Sequence, residues 1–184
     1  MFKVPIFQSE YSGDISKIKN EILSIKDGQK DTPLTMSNQN GYHSDQYLDK
    51  EEFMQPLLKW IASESGKAYS KLTIKKSRTE FNGCWFNVNT TLNSYNHIHT
   101  HNGILSGIFY VNAPPGSAKT YFYNMGMNRL WDGFLMGDKN EYNSAEHEII
   151  PKTGMLYLFP SYIYHAVGTN DKEVERISIS FNLR

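Results

Sequence analysis

The chain has 184 residues, with 19 basic and 19 acidic side chains, so no broad field of either sign marks it for nucleic acid or an anionic membrane. Its single cysteine, Cys84, excludes an intramolecular disulfide and a multi-thiolate zinc site, and no run approaches the roughly 18 apolar residues of a membrane span. The opening "MFKVPIFQSEYSG" lacks the charged start and apolar block of a secretory signal, which makes a cytoplasmic protein the expectation.

No repeat, low-complexity tract or linker divides the chain, so residues 1–184 are expected to form one domain, with a helical scaffold over about 1–70 and a strand-built core over about 71–184. Asp14 can cap a helix whose Ile15, Ile18 and Ile22 share one stripe, with Gly28 beyond its end. Asp49 and Glu52 have capping-box spacing, and Phe53, Leu57, Trp60 and Ile61 form a second stripe. Between these helices "SNQNGYHSD" (residues 37–45) reads as a turn, and its His43 as a packing or surface residue. From Lys71 onward the texture changes to short runs rich in aromatic and β-branched residues: "KLTIKKS", "EFNGCWFNVNT", "ILSGIFYVNA", "KTYFYN", "HEIIP", "GMLYLF" and "ERISISFN". Turn signals such as "NAPPGS" and "PKTG" separate them. The pattern predicts a mainly β fold with N-terminal helices, organised as a mostly antiparallel jelly roll.

"SYNHIHTHNGILSG" (residues 94–107) places His97, His99 and His101 at alternate positions. In an extended strand the three imidazoles would share one face, with Ile98 and Thr100 on the other. Imidazole suits zinc, copper, iron and nickel, at metal–nitrogen distances of about 2.0–2.1 Å. Two ligands rarely complete a site. The third candidate is His165, which follows the apolar run Met155 to Phe159 and Pro160, and which a jelly roll can bring to the open end of its barrel.

In "ERISISFN", Arg176, Ser178 and Ser180 alternate with Ile177, Ile179 and Phe181, so one strand face is apolar and the other offers a guanidinium beside a hydroxyl. An inward arginine requires an anion, because a buried cation without one is strongly destabilising. Glu175 or Glu80 could supply a salt bridge; alternatively a small-molecule carboxylate is held bidentately, with Ser178 adding a hydrogen bond. Asn87 and Asn89, on the face opposite Phe86 and Val88, are further candidates for the pocket. Tyr110, Tyr121, Tyr123, Tyr157, Tyr162 and Tyr164 are candidates for its mouth or for packing.

Taken together, "YNHIHTHNGILSGIFYV", "PKTGMLYLFPSYIYHAVGTN" and "ERISISFN" resemble the prolyl-hydroxylase-like 2-oxoglutarate- and Fe(II)-dependent oxygenases common in marine bacteria and their phages, over roughly Trp85 to Arg184. The resemblance implies a double-stranded β-helix, Fe(II) held by His99, His101 and His165, and 2-oxoglutarate anchored by Arg176 with help from Ser178. It further implies O2 and an unidentified acceptor substrate as partners, succinate as product, hydroxylation of a protein side chain or small molecule, and ascorbate as a reductant. For a phage-encoded member the compartment would be the host cytoplasm. The family order Y-N-x-x-H-x-H matches Tyr95 and Asn96 and so selects His99 and His101, while a loop one residue shorter after His101 keeps His97 with His99 as the alternative pair. The chain departs from the usual two histidines and one carboxylate, since no Asp or Glu lies between Glu80 and Asp132.

Two other readings use the same residues. A cupin-type three-histidine metalloenzyme would account for Gly154, Pro160 and His165, but it expects glycine where Tyr162 stands and Glu near Leu105 or Ser106, and it leaves Arg176 without a task. A non-catalytic jelly-roll module would treat the histidines as incidental or as a structural zinc site. Nothing in the composition specifies an oligomeric state, and the charge balance disfavours nucleic acid.

Overall fold

The computed structural model describes residues 4–28, 34–75, 79–125 and 144–184. The elements begin with β1 (Phe7–Glu10), α1 (Ile15–Gly28), β2 (Asn38–Gln39), β3 (Tyr42–His43), two 3-10 turns at Leu48–Lys50 and Glu52–Met54, and α2 (Gln55–Lys71). They continue with β4 (Phe81–Asn89), β5 (Tyr95–His99), β6 (Leu105–Asn112), β7 (Thr120–Tyr123), β8 (Glu146–Ile149), β9 (Met155–Pro160), β10 (Tyr164–Val167) and β11 (Arg176–Leu183).

Two antiparallel sheets form from these strands, a six-stranded one in the order β1-β9-β6-β11-β4-β3 and a five-stranded one in the order β2-β5-β10-β7-β8. This is the expected mainly β double-stranded β-helix. The alternation in β11 sorts its side chains as the sequence predicts. Ile177, Ile179 and Phe181 are fully buried on the face that meets Ile18 and Ile22 of α1 and Leu57 and Ile61 of α2. Burying each such side chain contributes about 1.5–3 kcal/mol. Ile108, Tyr110, Phe122, Ile149, Tyr157, Phe159 and Ile163 fill a second, smaller core facing the other sheet. Gly107 lies opposite Phe181 in the β6–β11 register, and any Cβ there would collide with the Phe181 ring. The "LSG" run therefore makes room for the largest apolar residue of β11.

The helices begin close to where capping chemistry puts them. The Asp14 carboxylate accepts from the Lys17 backbone N–H at 3.1 Å, and Ile15, Ile18 and Ile22 carry α1. At Asp49 the capping box does not form. Residues 48–54 make the two 3-10 turns, and α2 starts at Gln55 with Pro56 in its first turn, where a missing N–H is harmless. The reading of the first third as helices and turns missed three strands, since β1 extends the large sheet beside β9, β2 pairs with β5 and β3 with β4. Two- and four-residue strands hold too few residues for a period-2 signal. "KLTIKKS" is not the strand it resembles: Lys71 ends α2 and Leu72 and Thr73 form its terminal turn, while Lys76 and Ser77 lie outside the described residues.

Candidate active site

His99, at the end of β5, and His165, in β10, are directly opposed in the antiparallel register, and His101 follows β5 by two residues. Their rings converge: centroids are 4.3 Å apart for His99 and His165, 4.8 Å for His99 and His101, and 5.0 Å for His101 and His165. One ring nitrogen from each lies within 4.8 Å of the others, close enough for a single ion to reach all three.

The strict alternation that would put His97 on this face is broken. In the β5–β10 pairing His99 faces His165 but Asn96 faces Val167, so β5 spends three residues where β10 spends two. That extra residue is a β-bulge, which turns Asn96 and His99 to the interior and His97 outward. His97 is exposed and packs edge-on against Tyr95 at 5.0 Å. The expectation that three alternate imidazoles share a face is thus corrected by one inserted residue.

Backbone carbonyls orient two of the three rings. His99 Nδ1 donates to the His97 carbonyl at 2.6 Å, and His165 Nδ1 donates to the Ile163 carbonyl at 2.9 Å. A carbonyl only accepts, so in both rings Nδ1 carries the proton and Nε2 keeps its lone pair, which in His99 lies 3.5 Å from the Ser37 hydroxyl. Burial holds all three imidazoles neutral. It pushes His101 down to about 3 and His165 down to about 4, with neighbouring histidines adding to both, and it lowers His99 against the opposing hydrogen bond to His97. Neutral imidazole is the form that ligates metal.

The histidines open onto a cavity of about 240 Å³ between the sheets, and Arg176 and Ser178 line it. Arg176 is 1% exposed, donates from Nε to the Ala118 carbonyl at 3.2 Å and from Nη1 to Ser178 Oγ at 3.1 Å, and lies over the Tyr110 ring at 5.2 Å. Its Nη2 has no partner among the described residues. The two carboxylates considered as salt-bridge partners from the sequence lie in other pairs, Glu175 with Lys19 at 3.0 Å and Glu80 with Arg184 at 4.0 Å. Burial accordingly pulls the guanidinium's pKa down, with Tyr110 only partly offsetting it. A buried cation with an unused N–H beside a hydroxyl fits an incoming carboxylate.

Other cavity residues escaped the sequence reading. Of the two options for His43, packing is the one the structure takes: it is buried in the wall, stacked on Trp85 at 5.6 Å, and Trp85 in turn packs on His101 at 5.5 Å. Thr120 accompanies Tyr110, with their hydroxyls 2.8 Å apart, and Asn96 donates to Ser37 Oγ at 3.1 Å. No local signal finds Asn96, because its inward turn depends on the bulge in the β5–β10 pairing. Of the two asparagines flagged on β4, Asn87 lines the cavity and Asn89, opposite Arg176, lies outside its lining. Tyr162 and Tyr164 are exposed, at 71% and 43%. Among the described residues no carboxylate joins the histidine cluster.

A family model described as "Putative 2OG-Fe(II) oxygenase" matches residues 83–182. No curated protein matches the sequence. Among solved structures, a prolyl-4-hydroxylase from Pseudomonas putida superposes with a TM-score of 0.69 at 14% identity, covering 98% of this chain and 92% of that one. The alpha-ketoglutarate-dependent epimerase SnoN of nogalamycin biosynthesis gives 0.68 at 10% identity, over 97% and 77% of the two chains. The viral collagen prolyl hydroxylase of Paramecium bursaria Chlorella virus-1, solved with 2OG, gives 0.61 at 14%, over 97% and 95%. At these identities the likeness is one of fold.

Proposed function

This chain belongs to the 2OG-Fe(II) oxygenase family, and from that membership we propose that His99, His101 and His165 hold the Fe(II), while Arg176 with Ser178 holds the far carboxylate of 2-oxoglutarate. The family chemistry takes 2-oxoglutarate, O2 and an acceptor substrate, so the protein is an Fe(II)- and 2-oxoglutarate-dependent oxygenase. When bound, the iron would supply activation of O2, the oxidant, of which one atom would oxidise 2-oxoglutarate to succinate and CO2 and the other would enter the acceptor C–H bond as a hydroxyl.

The observation that carries the residue assignment is Arg176: a fully buried cation whose Nη2 has no hydrogen-bond partner among the described residues, facing the cavity onto which three neutral imidazoles open. Ser178 and the Ala118 carbonyl fix the guanidinium in one orientation, so its free N–H is aimed before the ligand arrives. The His97 and Ile163 carbonyls do the same for the lone pairs of His99 and His165. Phe159 and Phe122 pack against His165 at 4.8 and 6.0 Å and keep water from that side of the cluster. Three neutral ligands leave the full charge of a dication for the dianionic co-substrate to neutralise, a role a carboxylate ligand would otherwise share.

A groove sharing Met36, Gln46, Thr100, His101 and Asn182 with the cavity is the route we assign to the acceptor, a protein side chain or a small molecule. The pairing of β1, β2 and β3 into the two sheets supports a single oxygenase domain over residues 1–184. The lone, fully buried Cys84 suits a reducing cytoplasm. No helix among the described residues is long and apolar enough to cross a membrane.

Anaerobic titration tests the assignment. Fe(II) with 2-oxoglutarate should give a weak visible charge-transfer band that neither gives alone, and incubation with Fe(II), ascorbate, O2 and labelled 2-oxoglutarate should release succinate. A cupin or a structural zinc site would give no band that depends on the keto acid.

A further inference from the structure

Among the described residues, four buried polar side-chain atoms have no hydrogen-bond partner: Tyr69 Oη, Asn87 Oδ1, Asn89 Oδ1 and Arg176 Nη2. Of these residues Asn87 and Arg176 line the cavity between the sheets. A buried group with an unmade hydrogen bond is destabilising, so each calls for a ligand. The two call for opposite ligands. The guanidinium is a donor and takes a carboxylate, whereas the carboxamide oxygen is an acceptor, and the carboxylates and keto oxygen of 2-oxoglutarate also only accept. The co-substrate that satisfies Arg176 therefore leaves Asn87 unsatisfied, and a second molecule has to bring the donor.

Another acceptor stands beside this one. Asn87 is directly opposite His43 in the β3–β4 register, and such partners hold their Cβ atoms about 4.5–5.5 Å apart on one face of the sheet. His43 is buried and also lines the cavity. Its Nδ1 lies 2.6 Å from the Ser44 carbonyl, which accepts the proton and leaves Nε2 as the acceptor. Trp85 packs on His43 at 5.6 Å and on His101 at 5.5 Å, so one ring separates the acceptors from the histidine cluster. The chain segment that brings His43 to the wall also supplies Met36 and Gln46, which line both the cavity and the groove leading into it.

Charge narrows the choice of donor. Arg176 is the one formal cation in the cavity lining, and no carboxylate joins it there among the described residues. An ammonium would enter without a counter-ion, beside a like charge. An uncharged donor escapes that cost. We propose that the substrate to be hydroxylated presents an uncharged N–H or O–H, that of an amide or an alcohol, to Asn87 Oδ1 and His43 Nε2, which hold it next to the histidine cluster. The inference rests on Arg176 being the anchor of 2-oxoglutarate.

The test uses the full chain loaded with redox-inert Zn(II) and saturating 2-oxoglutarate, with small probes titrated in and backbone amide shifts followed by NMR. The probes are acetamide against N,N-dimethylacetamide, ethanol against dimethyl ether, and ethylammonium. In at least one pair the donor should bind about five-fold more tightly than its donorless partner, as expected for one uncharged hydrogen bond, and that pair identifies the amide or the alcohol. Asn87→Leu should erase the preference, keep 2-oxoglutarate affinity within about two-fold of wild type, and melt no lower, since it removes an unmade hydrogen bond. Should it melt lower, His43→Phe decides, because it keeps a ring on Trp85 and must still reduce the preference. Equal binding within both pairs overturns the proposal and assigns the oxygen to a water molecule. A preference that survives both variants, or tightest binding by ethylammonium, overturns it as well. Arg176→Met separates the two layers: if it weakens 2-oxoglutarate while the donor preference is absent from wild type, this inference falls alone, and if it leaves 2-oxoglutarate affinity unchanged, the anchor reading falls and takes this inference with it.

Discussion

The two inner faces of the jelly roll perform their tasks in opposite ways. The small sheet presents its imidazoles through an irregularity, the bulge that turns His99 inward and His97 outward, and it leaves the cluster partly open to solvent. The large sheet presents Arg176 and Ser178 through strict alternation on β11, with the guanidinium fully enclosed. One end is thus shaped to admit a dissolved ion and exchange ligands, the other to grip a single anion in a dry, pre-aimed fork. Breaking each end separately should break different properties.

The largest effect is expected at the histidine end. His165→Ala removes the ring that touches both other imidazoles and leaves two candidate ligands, so Fe(II) affinity should fall at least about 100-fold, with turnover lost in step. Isothermal titration of the anaerobic protein with Fe(II) measures it, and retention of near-wild-type affinity would mean the cluster is not the iron site.

Arg176→Met should do the reverse. Iron binding is untouched, while 2-oxoglutarate affinity drops about 10- to 100-fold from the loss of charged hydrogen bonds. The ligand-free variant should melt no lower than wild type, because the cation it removes is buried without an anionic partner among the described residues. Weaker co-substrate binding together with undiminished stability is the mark of a group kept for its ligand rather than for the fold.

The pH dependence of the metal-free protein distinguishes the ends again. Burial lowers His165 from 6.5 to about 4 in the folded state, so below pH 6.5 the unfolded chain binds a proton that the folded one refuses. The stability this group contributes is full below neither value: it is present above pH 6.5 and is lost as pH falls toward 4. At pH 5 the loss is about 2 kcal/mol for this one residue, with His101 and His99 acting in the same direction. Melting curves of metal-free protein at pH 7 and pH 5 should show the drop, and His165→Ala should reduce it, leaving the part due to His101 and His99; Arg176→Met should leave it in place.

Legibility follows the same division. The β11 face was readable because eight residues of unbroken alternation put polar and apolar side chains on opposite sides, and the register then fixes Ser178 beside Asn87 and Tyr110. The meeting of His99 with His165 was readable only as a motif, since 66 positions separate them and nothing local to either predicts a cross-strand pair. The bulge was illegible: it depends on how β5 pairs with β10, and β10 itself was hidden in a four-residue strand after Pro160. The choice between packing and surface for His43 stayed open for a related reason, because β3 has two residues and its burial comes from Trp85 and β4, not from its own neighbours in sequence.

The smallest expected effect is the most informative about that irregularity. His97→Ala deletes the first of three alternate histidines, the one that regular strand geometry would make a ligand. In the bulged strand its ring is exposed against Tyr95, and what it gives the cluster is its backbone carbonyl, which receives the His99 Nδ1 proton and which alanine retains. Fe(II) and 2-oxoglutarate affinities should therefore stay within about two-fold of wild type, and stability should change by less than about 0.5 kcal/mol, as for an ordinary surface substitution. His99→Ala, two residues on, should instead cost Fe(II) affinity on the scale of His165→Ala. Were the two to exchange behaviour, the bulge would lie elsewhere in solution and the alternative pair, His97 with His99, would have to be reconsidered on a strand with unbroken alternation.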